Sequence, residues 1–140
     1  ATTNFETYGV LYNWPAVMAE GICPIGWHVP TDGEFTELVD FLGGESVAGG
    51  KMKEAGDDHW DLPNTGATNS SGFKGLPGGY RYAGGISANG DKGYWWSASV
   101  TSPGSSGSLR RRLDSNSGSI SWGSLTRNYG FSARCIKDES

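Results

Sequence analysis

The sequence predicts an α+β fold, with two early helices followed by an antiparallel sheet carrying long loops. Three observations lead there. Helical periodicity is confined to residues 31–56. Alternating stretches rich in β-forming residues dominate after residue 94. Gly accounts for 23 of 140 residues, more than twice the usual share of about 7%, so tight turns are frequent.

Taken in order, TYGVLYNW (7–14) alternates and reads as a first strand. CPIGWHVP (23–30) is a rigid lead-in bracketed by Pro24 and Pro30. Thr31, with Glu34 three residues on, makes a capping box. Phe35, Leu38, Val39 and Leu42 then fall on one helical face, and Gly43-Gly44 stops the helix. ESVAGGKMKEAG (45–56) is a weaker second helix, with Val47, Ala48, Met52 and Ala55 on one side and Gly49-Gly50 interrupting it. Residues 57–81 read as a loop anchored by Trp60 and Phe73. YWWSASV (94–100) is a strand. SLRRRLDS (108–115) alternates, placing Leu109, Arg111 and Leu113 on one side and Arg110, Arg112 and Asp114 on the other. A further strand holds Ile120 and Trp122 (118–123), and NYGFSARCI (128–136) is the last. Segment 97–124 has 11 Ser in 28 positions, a linker-like composition. Its alternation and flanking aromatics make it strands joined by small-residue loops instead.

A length of 140 residues suits one domain over 1–140, able to bury roughly two thirds of its surface. Six Trp argue against disorder. The net charge of −4 excludes a basic nucleic-acid binder. No run of 18 apolar residues is present, so no transmembrane segment is expected. The start, ATTNFETYG, does not read as a signal peptide, which fits either a cytoplasmic protein or one whose leader has been removed. Charge is unevenly spread. Residues 1–93 carry 5 basic and 12 acidic side chains, net −7; residues 94–140 carry 6 and 3, net +3. The C-terminal third therefore favours acidic partners.

Cys23 and Cys135 either form a disulfide, closing a loop of about 110 residues in an oxidising, exported setting, or remain two buried thiols packed as small hydrophobes. With His28 and His59 they lack finger-like spacing, so no metal is expected. Asp57, Asp58 and Asp61 lack the spacing of an EF-hand and read as a solvated turn. Phosphate-loop spacing and a G-x-S-x-G elbow are absent, and His28 reads as a packed or loop-bonding side chain. No catalytic residue and no cofactor is expected. LPNTG (62–66) spells a sorting signal, but 74 residues of folded-looking sequence follow it, which argues for an ordinary loop. Asn69-Ser70-Ser71 is a glycosylation sequon only in a eukaryotic secretory context.

The Arg110-Arg111-Arg112 triplet is the most informative feature. In one reading Arg110 and Arg112 form a ligand surface with Asp114, Trp122 and loop residues, while Arg111 is packed or ion-paired. In the other the arginines are a solubilising face on an edge strand. Ser and Gly beside Arg and Trp also match the mixture found in antibody-like paratopes.

The ordered series GVLYNW, CPIGWHVPTDGEF, AGGKMKEAG, HW, PNTGATNSSGF, LPGGYR, GYWWSAS and GFSARCI resembles the Fibrobacter succinogenes major paralogous domain over roughly residues 8–137. The resemblance implies a C-type-lectin-like fold of the formylglycine-generating-enzyme type. It also implies an exported bacterial surface protein or lipoprotein, and several members look like variable proteins of diversity-generating retroelements. Carried over by position, Trp95, Trp96, Ser97, Arg111, Leu113, Gly130, Phe131, Ser132, Arg134 and Cys135 match a fixed frame. Ala133 replaces the family's usual Val. The positions that look variable, and so ligand-binding, are Ala98, Leu109, Arg110, Arg112, Asp114, Ser115, Ser121, Gly123, Ser124, Leu125 and Asn128. Trp122 stands where the pattern often has Arg. The Ca²⁺ motifs of sugar-binding lectins and the cysteine pair of the formylglycine-generating oxidases are not matched; Cys23 and Cys135 fit a structural pair. The expectation is a non-enzymatic domain at a bacterial or phage surface, binding a protein or glycan on a cell surface. The rival expectation is a fixed carbohydrate-binding or adhesin module, marked by Trp122 or Tyr82 stacking on a sugar.

Overall fold

The computed structural model describes residues 6–139. It is a mixed α/β structure with a few short helices and small antiparallel sheets. In chain order the elements are α1 (Trp14–Val17), β1 (Trp27–His28), α2 (Asp32–Phe41), α3 (Glu45–Met52), β2 (Tyr80–Tyr82), β3 (Gly85–Ser87), β4 (Lys92–Val100), β5 (Gly107–Asp114), β6 (Ile120–Thr126) and β7 (Ile136–Lys137). Sheet orders are β1-β7, β2-β3 and β4-β5-β6.

The strand expected over 7–14 is replaced by other structure. Residues 6–8 form a helical turn, Gly9 turns away at φ 76°, and only Tyr12 bridges, to Phe131. Asn13 then caps α1 through its side chain to the Ala16 amide, and Pro15 fits its first turn. The aromatics of this stretch pack against the sheet without joining it as a strand.

α2 forms as expected. Its Thr31–Glu34 capping box is complete, and Phe35, Val39 and Leu42 are buried. The second helix stops at Met52, short of the expected 56, because Lys53 turns extended. The Gly49-Gly50 pair inside it has a packing reason. A Cβ at Gly49 would lie 2.1 Å from the Ser119 carbonyl oxygen, and one at Gly50 would lie 2.3 Å from that of Gly66. These glycines let α3 rest directly on backbone.

β4 is buried on both faces, which explains its continuous aromatic run. Trp95 joins Phe35, Met52, Trp60, Leu113 and Ile120 in one core cluster. Tyr94 and Trp96 join Val17, Val29 and Phe131 in a second. Three indole N–H groups, of Trp14, Trp60 and Trp96, donate to the carbonyls of Ser97, Gly75 and Tyr12. Phe73 meets Trp95 edge-on at 5.5 Å, so both expected loop anchors pack inward.

The strand expected over 128–136 is mostly a set of single bridges: Gly130 to Arg81, Phe131 to Tyr12, Ser132 to Trp95. Each residue finds its backbone partner on a different segment, so no ladder forms until β7. There Ile136 and Lys137 pair with β1, and Cys23–Cys135 forms a disulfide across 112 residues. Among the described residues no helix is long and apolar enough to cross a membrane.

Candidate ligand-binding face

β5 and β6 pair without a shift: Leu109 with Ser124, Arg110 with Gly123, Arg111 with Trp122, Arg112 with Ser121. Side chains alternate between faces. The register therefore divides the residues that the sequence grouped together.

Leu109, Arg111, Trp122 and Ser124 share the face turned towards α2. There Arg111 is buried, at 2% exposure, and paired as expected. Its Nη2 donates to Asp32 Oδ1 (2.9 Å) and to Thr36 Oγ1 (2.8 Å), and its Nε to Asp32 Oδ1 (3.1 Å). Trp122 lies on this side at 56% exposure. The expected grouping of Trp122 with Arg110 and Arg112 does not form, because Trp122 sits opposite Arg111.

Arg110, Arg112, Asp114, Ser121, Gly123 and Leu125 share the other face, over Tyr94 and Trp96 of β4. Arg110 extends across Gly123, where a Cβ would meet its Nη2 at 2.9 Å. Its guanidinium stands 5.5 Å from the Tyr94 ring centre, and its Nη1 is 3.4 Å from Ser121 Oγ. The buried Nε has no partner, and no carboxylate lies within ion-pair range among the described residues. Burial, then the nearby Arg112 charge, pushes the Arg110 pKa down.

Arg112 is occupied: its Nε lies 3.1 Å from Asp114 Oδ1. Asp114 is only 8% exposed and also takes Lys92 at 2.7 Å, which raises the lysine's pKa. Ser115 is buried and donates to Asp91 Oδ1 at 2.6 Å. Asp114 and Ser115, expected as outward ligand contacts, are thus buried supports. Ala98 and Leu125 are half-buried against the second core, and Asn128 is exposed, accepting from Thr126 Oγ1.

The tyrosines near this face all lie outside the 98–128 segment, and of them only Tyr82 was expected as a contact. Tyr80 meets Tyr94 edge-on at 5.5 Å, and Tyr82 stacks on Tyr129 at 4.3 Å. Tyr82 and Tyr129 line a groove of about 540 Å³ with Ser105, Ser124 and Thr126. Arg127 is a further unannounced member. It lies 4.6 Å from the Trp14 ring and donates to Ser108 Oγ.

The other candidates are placed as follows. His28 bridges Glu34 and Asp138, whose hydrogen bonds raise its pKa. His59 Nδ1 lies 2.7 Å from Glu54 Oε1. Asp57, Asp58 and Asp61 are exposed. Asn64 of the LPNTG stretch is buried and donates to the carbonyls of Glu54 and Gly56, which fixes that loop in the fold. Among the described residues no group of three or more His, Cys, Asp or Glu could hold a metal ion.

A model of the Fibrobacter succinogenes major domain matches residues 1–137. The chain belongs to that family. No curated protein and no solved structure matches it. Of the residues expected as a fixed frame, Trp95, Trp96, Ser97, Arg111, Leu113, Gly130 and Phe131 are buried, and Ser132, Arg134 and Cys135 are half-buried.

Proposed function

We propose that this Fibrobacter succinogenes major domain is a non-enzymatic ligand-binding domain of C-type-lectin-like fold, displayed at a bacterial or phage surface. In this reading it is a variable protein of a diversity-generating retroelement, and its ligand is a protein or glycan on a cell surface. The β1–β7 pair and the Cys23–Cys135 disulfide, which join early and late segments, are compatible with that fold. The disulfide also fits an oxidising compartment.

The observation that carries the reading is Arg110. A half-buried guanidinium without a carboxylate lies on an aromatic ring, and Gly123 sets no side chain over it. Arg and Tyr are the residues most often found at binding hot spots. The test is Arg110→Ala against a ligand recovered by selection on whole cells or glycans. A hot-spot residue costs at least ~2 kcal/mol on truncation, about a thirty-fold loss of affinity. Unchanged affinity with folding intact overturns the assignment.

The second reading is a fixed carbohydrate-binding module, favoured by the stacked Tyr82–Tyr129 pair beside a hydroxyl-lined groove. Tyr82 is 45% exposed and offers a ring face to a sugar. Binding on a glycan array that Tyr82→Ala abolishes would decide for it, and silence across many polysaccharides would decide against it.

A further inference from the structure

β6 is the outer strand of the three-stranded sheet, and it lacks the usual protection of an edge. Residues 115–126 contain no charged side chain and no proline, and the β5–β6 register runs without a bulge. Natural sheets normally blunt such edges with charge, proline or a bulge.

The direction of the free backbone groups follows from their neighbours. The Gly107 carbonyl accepts from Thr101, and the Leu109 carbonyl accepts from the Ser97 hydroxyl, so both face β4. Antiparallel strands alternate bonding direction with every residue. Ser108, Arg110 and Arg112 therefore bond β6 through Leu125, Gly123 and Ser121. The N–H and C=O groups of Trp122 and Ser124 point outward, and among the described residues they make no backbone bond.

Arg110 reaches towards this same edge. It belongs to the middle strand, yet its guanidinium lies over Gly123 because no side chain stands there. An added strand would pair with Trp122 and Ser124 through its backbone. Its residue opposite Gly123 would turn its side chain to the Arg110 face. Its two neighbours would turn to the other face, beside the exposed Trp122 indole.

We infer that the β6 edge takes an extended peptide segment of a protein partner, with an acidic side chain opposite Gly123 meeting the Arg110 guanidinium and apolar neighbours packing on Trp122. This rests on the ligand-binding reading above and names the partner's chemistry. Main-chain pairing supplies affinity in strand addition, and side chains supply specificity. Charge decides against a second copy of this chain as occupant. A self-paired β6 would offer Arg110 no carboxylate, since residues 115–126 hold none.

The probe is the end-capped peptide Thr-Thr-Val-Glu-Val-Thr-Thr, with Gln in place of Glu as its partner probe, titrated into the oxidised domain and followed by amide NMR. The expected result is saturable shifts centred on Trp122 and Ser124, with the Gln peptide at least ten-fold weaker. Ser124→Pro removes an outward N–H without touching the β5 pairing and should abolish the binding. Arg110→Gln should erase the Glu–Gln difference. No shifts at millimolar peptide, shifts elsewhere, or equal affinity for both peptides overturn the inference. So does concentration-dependent self-association that Ser124→Pro prevents, which would assign the edge to a second copy. If the peptides fail but a selected ligand still loses affinity in Arg110→Ala, the strand-addition inference falls while the binding-face reading stands.

Discussion

Lys53 is fully buried, and its ammonium group donates to three backbone carbonyls, of Thr65, Asp114 and Ser117, at 2.9–3.0 Å. These acceptors come from two distant loops, so one side chain ties both to the end of α3. Lys53→Met keeps an unbranched apolar chain in the site but removes the ammonium that stands 5.4 Å from the Trp60 ring centre and leaves the carbonyls without their donor. Unsatisfied buried acceptors cost about 1–3 kcal/mol each, and partial hydration would bring the loss to roughly 2–4 kcal/mol. Chemical denaturation measures this, and a loss under about 1 kcal/mol would refute the tie. Arg111 makes a comparable link from β5 to α2. Arg111→Lys should lose about 2–3 kcal/mol, since an ammonium cannot reproduce the fork on Asp32 and Thr36. The two residues differed in legibility. The inward side of Arg111 follows from the alternation of LRRRL. Lys53 looks like any helical lysine, because its acceptors lie 12 to 64 residues away.

Among the elements, β1 and β7 are too short to hold each other by hydrogen bonds alone, with two residue pairs between them. The Cys23–Cys135 bond and the His28 bridge fasten them. Replacing both cysteines by Ser should cost about 2–5 kcal/mol, read as a lower melting temperature; an unchanged melt would count against the clasp. The bridge has a pH signature. His28 has its pKa raised above 6.5, first by Asp138 and then by Glu34. Its contribution is complete below pH 6.5 and fades as pH rises through the raised value. Glu34 is lowered below 4.5, first by the Thr31 amide, so its contribution is present above pH 4.5 and fades as pH falls through the lowered value. Asp138→Asn should bring the His28 NMR titration midpoint down towards 6.5, and an unmoved midpoint would remove Asp138 from the bridge. β5, β6 and α2 were readable because each has one dominant period, and β4 because it is a continuous run rich in β-forming residues. Residues 7–14 and 128–136 were not, because β-forming aromatics there serve packing while each backbone group pairs with a different segment. The candidate face was half readable for a similar reason. Alternation separates Arg110 from Arg111, but which residue of β6 lies opposite each depends on register. Only the register puts Gly123 under Arg110 and Trp122 on the far side.

For the whole molecule, β4 separates two cores, and beyond Ile120 the outer strand β6 alternates half-buried with exposed residues. Such a layout lets surface chemistry change without disturbing the frame. Substitutions at Ser121, Ser124 or Asn128 should stay within about 0.5 kcal/mol, whereas Leu113→Ala, at a site with no exposure, should cost about 2–5 kcal/mol. If the segment is diversified in nature, the same division must appear in sequences of this gene across its source population. Replacements should concentrate at Leu109, Arg110, Ser121, Trp122, Ser124 and Asn128. Trp95, Arg111, Leu113, Gly130 and Cys135 should stay constant. The structure adds a sharper demand. Asp114 and Ser115 sit inside the alternating stretch but are buried and bonded to Lys92, Arg112 and Asp91. They should be constant with the frame, since replacing Asp114 leaves Lys92 and Arg112 without their shared carboxylate and replacing Ser115 takes a donor from Asp91. Variation at Asp114 and Ser115 as free as at Ser124 would mean the face tolerates more than its packing allows. A segment no more variable than the remainder would remove the diversification reading and leave one fixed ligand to find.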